Sequence, residues 1–402
     1  MQKRQTTAPP TTINMNASRP ASEPETTEDA STNVRRSAIA SLYVHVPFCA
    51  GKCDYCAFYS IPSTSQETRQ NYLARLQDDF RDVRARCAPL STIFVGGGTP
   101  SILDRTELHQ LLSSLSQTFE LRSDVEWTVE CNPDSLTEPK AELLAEAGVN
   151  RISLGVQSLD PTLRGILGRQ GNTDALEDTV RHLRRLGVSG INVDLIYAIP
   201  GQSISQWTDD VRRMCDLGID HLSTYALTRE EGTRLGDSAL PPVDDVLEIQ
   251  MWDVVAEEAH GAGLERYEVS NLARPGAECR HNNRIWHGAT YIGCGPAAAS
   301  FDGQLRWTAP GSLEGWLDQA PPEEDHLPPE QRAAEILAFG LRTVEGWRIR
   351  EFSRTTGRDP FTLRPEAVRN LIDEGMLIRT ETRLYPTRKG LLFADYVAQT
   401  LL

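Results

Sequence analysis

Three of the eight cysteines lie within one short segment, and their spacing could build a metal site. Cys49, Cys53 and Cys56 form the pattern CxxxCxxC, and the other five cysteines are scattered along the chain. Thiolates are the ligands of iron–sulfur clusters, and four of them normally complete a 4Fe–4S cube. A loop with three thiolates leaves one iron with an open position, which a metal needs to bind and activate a substrate. The pattern therefore predicts a 4Fe–4S cluster.

Two alternatives to an iron–sulfur cluster stay open for this loop. A zinc site normally uses four ligands, often in paired CxxC motifs, and no second CxxC follows Cys56. Three unrelated core thiols are the second alternative, although chance seldom produces this spacing. A secreted disulfide framework would be a short, cysteine-dense chain, whereas this chain has 402 residues. The cysteine usage thus favours a reducing compartment.

A second group of candidates follows short apolar runs of the sequence. These candidates are the Gly96–Thr99 segment and the single residues Glu130, Gln157, Arg169 and Asp194. Parallel strands collect their chemistry at their carboxyl ends, so these polar groups could converge on one cavity. Glycines there would let the backbone approach a ligand closely. The alternatives are a tight strand-to-helix turn for the glycines and ordinary surface or core positions for the polar residues.

The elements that must position these residues form a repeating pattern from Ser41 onward. Near-continuous apolar runs predict strands at Leu42–Pro47, Thr92–Val95, Val125–Glu130, Ile152–Val156, Ile191–Ile196 and His221–Ala226. Amphipathic stretches near 66–86, 104–119, 138–147, 173–186 and 203–217 predict the intervening helices. Six such units indicate an α/β fold with a parallel sheet covered by helices.

The rest of the chain divides by composition. Residues 1–40 are rich in Thr, Ser, Pro and Glu, and we expect them to be disordered because they bury too little apolar surface. Residues 41–265 form the predicted core, and 266–320 form an irregular, Gly-rich and aromatic region. Residues 321–402 begin with a proline-rich linker and continue as a helical domain with a small winged-helix-like module. This module has mixed charge, which favours packing over DNA binding.

Charge and hydropathy exclude several classes of partner. The net charge of −15 argues against non-specific nucleic-acid binding, which needs clustered Lys and Arg. No apolar run approaches 18 residues, so a transmembrane helix is not expected. The first 40 residues lack the apolar segment of a signal peptide, and their acidic residues count against a transit peptide. The expected location is the cytoplasm.

Several ordered motifs resemble the HemN/HemW group of radical S-adenosylmethionine (SAM) proteins, which comprises coproporphyrinogen III dehydrogenases and related heme chaperones. They are Tyr43–Phe58, Phe94–Ser101, Glu130–Pro133, Asn150–Ser158, Leu167–Arg169, Asn192–Ile196, Pro200–Gln202 and Tyr267–Asn271. The resemblance implies an incomplete (β/α)6 barrel in which SAM binds the open iron and is split into a deoxyadenosyl radical. The SAM contacts that it implies are Tyr43, Tyr55, Gly97, Gly98, Thr99, Glu130, Gln157, Arg169 and Asp194. For Tyr55, plain packing is an equal alternative.

Two features resemble the heme chaperone branch of this group. The dehydrogenase branch has a CxxxCxxCxC loop, whereas Phe58 stands at the last position here. The segment His281–Trp286 resembles the heme-binding motif HNxxYW, which implies His281 as an iron ligand and Trp286 as a porphyrin contact. Ile285 replaces the motif's tyrosine, and the histidine expected near Ala299 is absent. A structural role for His281 stays open, as does ligation by Cys279 or His287.

The resemblance therefore implies a chaperone that binds heme and transfers it to an acceptor protein, for example a respiratory enzyme. Flavodoxin or ferredoxin is the implied reductant. The alternative is an oxygen-independent coproporphyrinogen III dehydrogenase, in which the radical abstracts hydrogen from propionate side chains and carbon dioxide is lost. Another radical SAM oxidoreductase or methyltransferase is a third possibility.

Overall fold

The structure is a computed structural model that describes residues 39–62 and 65–402. The predicted disordered tail, residues 1–40, therefore lies almost wholly outside the described residues. Its last two positions, Ile39 and Ala40, already belong to the first strand.

The core of the fold is a parallel sheet built from the six predicted strands. The strands are β1 (Ile39–Val46), β2 (Cys87–Gly97), β3 (Leu121–Cys131), β4 (Arg151–Gln157), β5 (Gly190–Tyr197) and β6 (His221–Ala226). They pair in chain order, each parallel to the next. The predicted alternation of strand and helix is confirmed, and β2 and β3 begin several residues earlier than predicted.

The two faces of this sheet differ in polarity. Residues that point toward the helices, such as Val44, Trp127 and Leu154, are fully buried and apolar. Many residues on the opposite face are polar, for example Thr128, Ser153 and Asn192. The near-continuous apolar strands that we expected are therefore interrupted at every second position along β3 to β6. Because side chains alternate across a strand, this period places the polar groups together inside the barrel.

Helices cover the outer face between the strands. They are α1 (Gln66–Arg84), α2 (Arg105–Thr118), α3 (Glu138–Glu146), α4 (Leu176–Arg185), α5 (Ile204–Asp216) and α6 (Asp245–Gly261), with short helices at Pro100–Ile102 and Pro161–Ile166. Capping boxes begin α2 and α5 through Asp104 and Ser203. Among the described residues, no helix is long and apolar enough to cross a bilayer.

The sheet ends in two free edges instead of closing. At one edge β7 (Glu265–Arg266) and β8 (Asn271–Ala273) extend β6 in antiparallel fashion, and at the other β9 (Ile292–Cys294) lies parallel to β1. Between β8 and β9 the chain forms helix α7 (Arg280–Trp286). Within the described residues the main sheet thus has nine strands in the order β9-β1-β2-β3-β4-β5-β6-β8-β7. This open arrangement is the incomplete barrel that the resemblance implied.

The C-terminal region carries its own hydrophobic core. It begins with helix α8 (Pro329–Gly340), a strand at Trp347–Arg348 and helices at Ile349–Thr356, Pro360–Leu363 and Pro365–Asp373. A hairpin of Leu377–Arg379 with Arg383–Pro386 follows, and then helices at Arg388–Leu392 and Ala394–Leu401. The three short strands form one antiparallel sheet, as in a winged helix. The predicted winged-helix-like module is present.

The expected linker after residue 320 contains a strand. A small sheet joins Ala299–Phe301, Arg306–Thr308 and Glu323–Asp325, with a short helix at Leu313–Leu317 between its second and third strands. Side chains of the sheet pair with α8, since Arg306 donates to Glu335 at 2.6 and 2.7 Å. This segment therefore connects the barrel side to the C-terminal core instead of separating them.

Candidate functional site

The three-cysteine loop leaves the carboxyl end of β1 and is held at both of its ends. Phe48–Cys49 pairs with Ile61–Pro62, and the Thr99 N–H donates to the Phe48 carbonyl at 2.7 Å. In the middle of the loop, the Asp54 N–H donates to the Leu167 carbonyl at 2.9 Å. The loop is therefore fixed by backbone contacts against the segments that follow β2 and β4.

The segment 167–170 fits closely against this loop. Gly168 has φ +62°, and a Cβ atom there would meet the carboxylate of Asp54 at 2.6 Å. Arg169 donates from Nη1 to Cys53 Sγ at 3.6 Å and from Nη2 to the Gly155 carbonyl and to Asn132 Oδ1. The arginine thus links one cluster thiol to the ends of two strands, and glycine is required beside it.

The surroundings of the cysteines fit thiolate ligands of an iron–sulfur cluster. Burial raises the pKa of Cys49 and Cys56, and the nearby Cys53 raises both further. Donors offset this cost, because Thr99 Oγ1 lies 3.6 Å from Cys49 Sγ and Arg169 faces Cys53. Across residues 39–62 and 65–402, no three His, Cys, Asp or Glu side chains are arranged to hold one metal ion. A 4Fe–4S cluster binds each thiolate at a different iron, so it does not require that arrangement.

The three glycines at the carboxyl end of β2 are each required by contacts with protein atoms. A Cβ atom on Gly96 would meet Glu130 Oε2 at 2.5 Å, and one on Gly98 would meet the Phe48 carbonyl at 2.7 Å. Gly97, with φ +103°, lies under the ring of His45. A tight turn thus accounts for their missing side chains, and SAM contact by their backbone stays a prediction.

His45 itself has one defined tautomer. Its Nε2 lies 2.9 Å from the Tyr59 carbonyl, which can only accept, so Nε2 carries the proton. Its Nδ1 then accepts from the hydroxyl of Tyr43 at 3.0 Å. The imidazole therefore orients Tyr43 toward the barrel interior.

Two half-buried carboxyl groups lie inside the barrel, near enough for the charge of Asp194 to act on Glu130. Burial and the nearby Asp194 raise the pKa of Glu130 to about 7, although the Gly97 N–H donates to its Oε2 at 3.1 Å. Burial also raises the pKa of Asp194, against donors on Ser153 and Asn192 at 2.8 Å. A cationic ligand between these groups would favour their ionised forms. Their placement suits the ammonium or sulfonium of SAM.

A cavity of about 340 Å³ lies inside the barrel beside these carboxyl groups. Of the predicted SAM residues, Tyr43, Gly97, Glu130 and Asp194 line it. Arg169 and Gln157 lie instead against Gly155 near the cluster loop, and Gln157 has the uncommon φ of +71°. Gly98 and Thr99 hold the loop backbone, while Tyr55 packs with the apolar cluster around Leu167 and Ile199.

Sequence reasoning missed most of the cavity's polar lining. Arg151, Ser153, Asn192, His221, Ser223, Asn271 and Asn282 all line it. His221 Nδ1 donates to Asn192 Oδ1 at 2.6 Å, which leaves Nε2 to accept from the Tyr267 hydroxyl at 2.9 Å. The missed signal was the alternation of polar residues at every second position of β3 to β6.

The candidate heme helix α7 lies at the amino-terminal half of the strands, away from the cysteine loop. The carboxylate of Glu126 on β3 accepts the backbone N–H groups of Arg280 and His281 at 2.9 and 2.8 Å. At the other end of the helix, Arg284 Nε donates to Ser41 Oγ at 3.1 Å. The tertiary structure therefore places α7 away from the cysteine loop, although Asn282 of α7 lines the same cavity as the predicted SAM residues.

His281 is 2% exposed and does not line the cavity. Its Nδ1 shares a hydrogen bond of 2.9 Å with Thr92, and its ring centroid lies 5.3 Å from that of Phe94. Burial lowers its pKa to about 3, so the ring is neutral, as iron ligation requires. Within the described residues its Nε2 makes no hydrogen bond. To reach iron, this nitrogen needs a movement of α7 or of the ring.

The other candidates for heme contact are engaged in the structure. The guanidinium of Arg342 lies 4.9 Å from the ring centroid of Trp286, and His287 is placed between the carbonyls of Asn283 and Gly346. Cys279 is buried at the start of α7, and burial raises its pKa to about 12. A thiol with such a pKa is a poor thiolate donor before a metal binds.

Comparison with known proteins places the chain in a family. Residues 43–214 match the model of the radical SAM superfamily, and residues 327–393 match that of the HemN C-terminal domain. The heme chaperone HemW of Escherichia coli is 33% identical over 377 residues, covering 90% of this chain and 98% of that protein. The HemW of Lactococcus lactis is 32% identical over 372 residues, covering 90% and 97%. The chain belongs to the HemW family.

This HemW-family chain also shares its fold with a solved structure. The radical SAM enzyme HemN of Escherichia coli, a coproporphyrinogen III oxidase, superposes with a TM-score of 0.80 at 21% identity, covering 92% of this chain and 91% of that one. As a radical SAM protein, the chain uses a 4Fe–4S cluster and SAM. In radical SAM chemistry, these cofactors would supply a deoxyadenosyl radical. Cys49, Cys53 and Cys56 stay the predicted ligands of the cluster.

Proposed function

We propose that this protein is a radical SAM heme chaperone, which binds heme and transfers it to an acceptor protein. The observation that carries this proposal is the similarity to HemW heme chaperones along nearly their whole length. Phe58 supports it, because the dehydrogenase branch carries cysteine at the corresponding position. The exposed ring of Phe58 lines the mouth of the cavity beside the cluster loop.

The proposed binding sites for the cluster, SAM and heme follow one another along the axis of the barrel. Cys49, Cys53 and Cys56 would hold the cluster at the carboxyl ends of the strands, and Glu130 and Asp194 would hold the cationic part of SAM. Helix α7, at the opposite end, would supply His281 to heme iron once Thr92 releases its ring. The predicted SAM and heme regions would then communicate through the polar interior that lies between them.

The partners belong to the same proposal. A cytoplasmic acceptor protein, for example a respiratory enzyme, would receive the heme, and flavodoxin or ferredoxin would reduce the cluster. Coproporphyrinogen dehydrogenation is the weaker candidate, because the likeness to HemN is below 25% identity and supports the fold alone.

A heme titration of the reconstituted protein tests the proposal. The cluster is assembled anaerobically, hemin is added, and the Soret band is followed for wild type, His281→Ala and Thr92→Val. We expect wild type to bind close to one hemin per chain. His281→Ala should lose more than the roughly tenfold in hemin affinity that is typical when a residue supporting a metal ligand is removed. Thr92→Val should bind more tightly, because it removes the hydrogen bond that holds the His281 ring in its buried position.

The matched control is His326→Ala, since this imidazole is 70% exposed and pairs only with Glu324 in the described part of the chain. It should bind hemin as wild type does. Coproporphyrinogen decarboxylation is measured in the same samples and should be absent. Decarboxylation without specific hemin uptake would contradict the chaperone proposal and move the protein to the dehydrogenase branch.

A further inference from the structure

A buried arginine lies at the inner end of the barrel cavity. Arg151 is the first residue of β4, is 5% exposed and lines the cavity. It lies opposite Thr128 and Gly190 on the neighbouring strands. The missing side chain of Gly190 leaves room for its stem, because a Cβ atom there would come within 3.2 Å of Arg151 Cγ. The fold therefore accommodates this cation inside the barrel.

Most hydrogen-bonding capacity of Arg151 is unused. In the described part of the chain, its guanidinium makes one hydrogen bond, from Nη1 to the Ala277 carbonyl at 3.0 Å, and no carboxylate forms an ion pair with it. A guanidinium has five N–H donors in a planar fork that matches a carboxylate. The charge of Arg151 lowers the pKa of Asp194 from beyond ion-pair distance, so an anion that enters the cavity could pair more directly with the unused donors.

Arg151 lies deeper in the barrel than Glu130 and Asp194, near enough to lower the pKa of Asp194 but without an ion pair to it in the described residues. Its neighbour on the same face, Ser153, lies level with Glu130, and the strand runs from there toward the cluster loop. Gln157, at the far end of β4, is about 20 Å away along the strand. The amino and carboxylate groups of SAM are expected at the cluster, so Arg151 is left for a second anionic group.

Arg151 also lies beside the candidate heme region. Its hydrogen-bond partner Ala277 precedes His281 by four residues, and Cys279 and Asn282 line the same cavity. A ligand that contacts α7 and carries a carboxylate would therefore find Arg151 within the same chamber. Heme carries two propionate groups of this kind.

We propose that Arg151 is the anchor for a carboxylate bound deep inside the barrel. A porphyrin propionate is the source that the neighbouring helix favours, and this source rests on the proposed function. The methionine carboxylate of SAM is the other source with the same chemistry. Bidentate pairing of a carboxylate with the guanidinium fork would displace water from the inner end of the cavity.

The test uses the full-length reconstituted protein and three probes: hemin, hemin dimethyl ester and SAM. Wild type should bind hemin roughly 10-fold to 100-fold more tightly than the ester, in which both propionates lack charge. Arg151→Met should remove this preference, and Arg151→Lys should keep part of it. The control is Arg181→Met, because Arg181 is half exposed on α4 and pairs with Glu177 and Asp178. Thermal melts and iron content verify that each variant is folded and loaded.

The outcomes identify the source of the carboxylate. If SAM affinity falls about tenfold in Arg151→Met while the hemin preference persists, the anchor serves SAM. If folded variants change neither the hemin preference nor SAM affinity, the inference is overturned. Failure of wild type to bind hemin would contradict the proposed function, and the SAM titration would still decide whether Arg151 binds a carboxylate. Arg151→Lys provides the same decision if the methionine variant does not fold.

Discussion

At the scale of single residues, the candidate site combines three predicted cluster thiols with two carboxyl groups whose ionised forms a cation would favour. Glu130 and Asp194 share the cavity, and the charge of Asp194 raises the pKa of Glu130 beyond the effect of burial. Such a pair favours binding of a positively charged ligand, because the ligand offsets the repulsion between the two carboxylates. Perturbed carboxyl groups in a cavity are a common mark of a functional site.

SAM affinity should depend on pH through Glu130. Its pKa of about 7 without ligand means that a proton must leave before a cation can pair with the ionised group. The affinity should therefore fall by about tenfold as the pH is lowered from 8 to 6. Glu130→Gln should bind SAM more weakly at pH 8 and show no such slope. Anaerobic titration calorimetry measures both.

The exposed Glu142 on α3 provides the control for this prediction. Glu142→Gln should keep the wild-type affinity and slope, since its side chain lies on the outer surface. A wild-type affinity that is constant between pH 6 and 8, or an unchanged slope in Glu130→Gln, would show that another group binds the cation.

At the scale of elements, the cluster loop depends on the segment after β4. The loop has few apolar anchors of its own, and it is held by backbone hydrogen bonds, by Arg169 and by the fit of Asp54 against Gly168. Helix α7 is held in a comparable way by the Glu126 carboxylate. Both candidate segments thus lie outside the main sheet and are held by polar contacts with residues far away in the chain, as is common for sites on a rigid scaffold.

Gly168→Ala should weaken cluster retention. The new methyl group would displace Asp54, and the left-handed backbone adds about 1–2 kcal/mol of strain. The matched control is Gly187→Ala, where φ is +82° and no heavy atom lies within 4 Å of the new methyl group. Iron and sulfide per chain after reconstitution should fall in the first variant and stay near wild type in the second. Equal iron contents would show that the contact with Asp54 is unimportant.

At the scale of the whole molecule, ion pairs connect the barrel side to the C-terminal core. Glu335 on α8 accepts from Arg306 in the small sheet and from Arg332 on its own helix, and both arginines lie near the ring of Phe301. Arg342, which follows α8, pairs with the fully buried Glu268 and stacks on Trp286 of α7. The C-terminal region therefore contacts the candidate heme helix directly.

Loss of the Glu335 carboxylate should destabilise the fold. Glu335→Gln removes one of the two carboxylates that pair with Arg306 and Arg332, because Asp325 also pairs with both, and Arg332 is almost completely buried. We expect a decrease of about 2 kcal/mol in the free energy of unfolding, measured by urea denaturation. Glu330→Gln is the control, because Glu330 pairs with Arg364 and its own side chain is more than half exposed. This substitution should lower the free energy of unfolding by less than about 1 kcal/mol. Equal effects would show that burial of the network is not what stabilises it.

The sequence by itself determined the cluster loop, the alternation of strands and helices, and the features that resemble the heme chaperone branch. These are local properties, because a spacing of three cysteines or a hydrophobic period can be read within a few residues. The resemblance extended them to a family, which the comparisons confirmed.

Only the tertiary structure decided which distant residues meet. His281 lies 189 residues from its partner Thr92, and its backbone is held by Glu126, 155 residues away. The position of Arg151 at the inner end of the cavity likewise depends on the register of three strands. Contacts of this kind are set by how the sheet curves and which side chains then share its interior, and no local pattern encodes that arrangement. The burial of His281 and the opening of Arg151 to the cavity were therefore decided by packing alone.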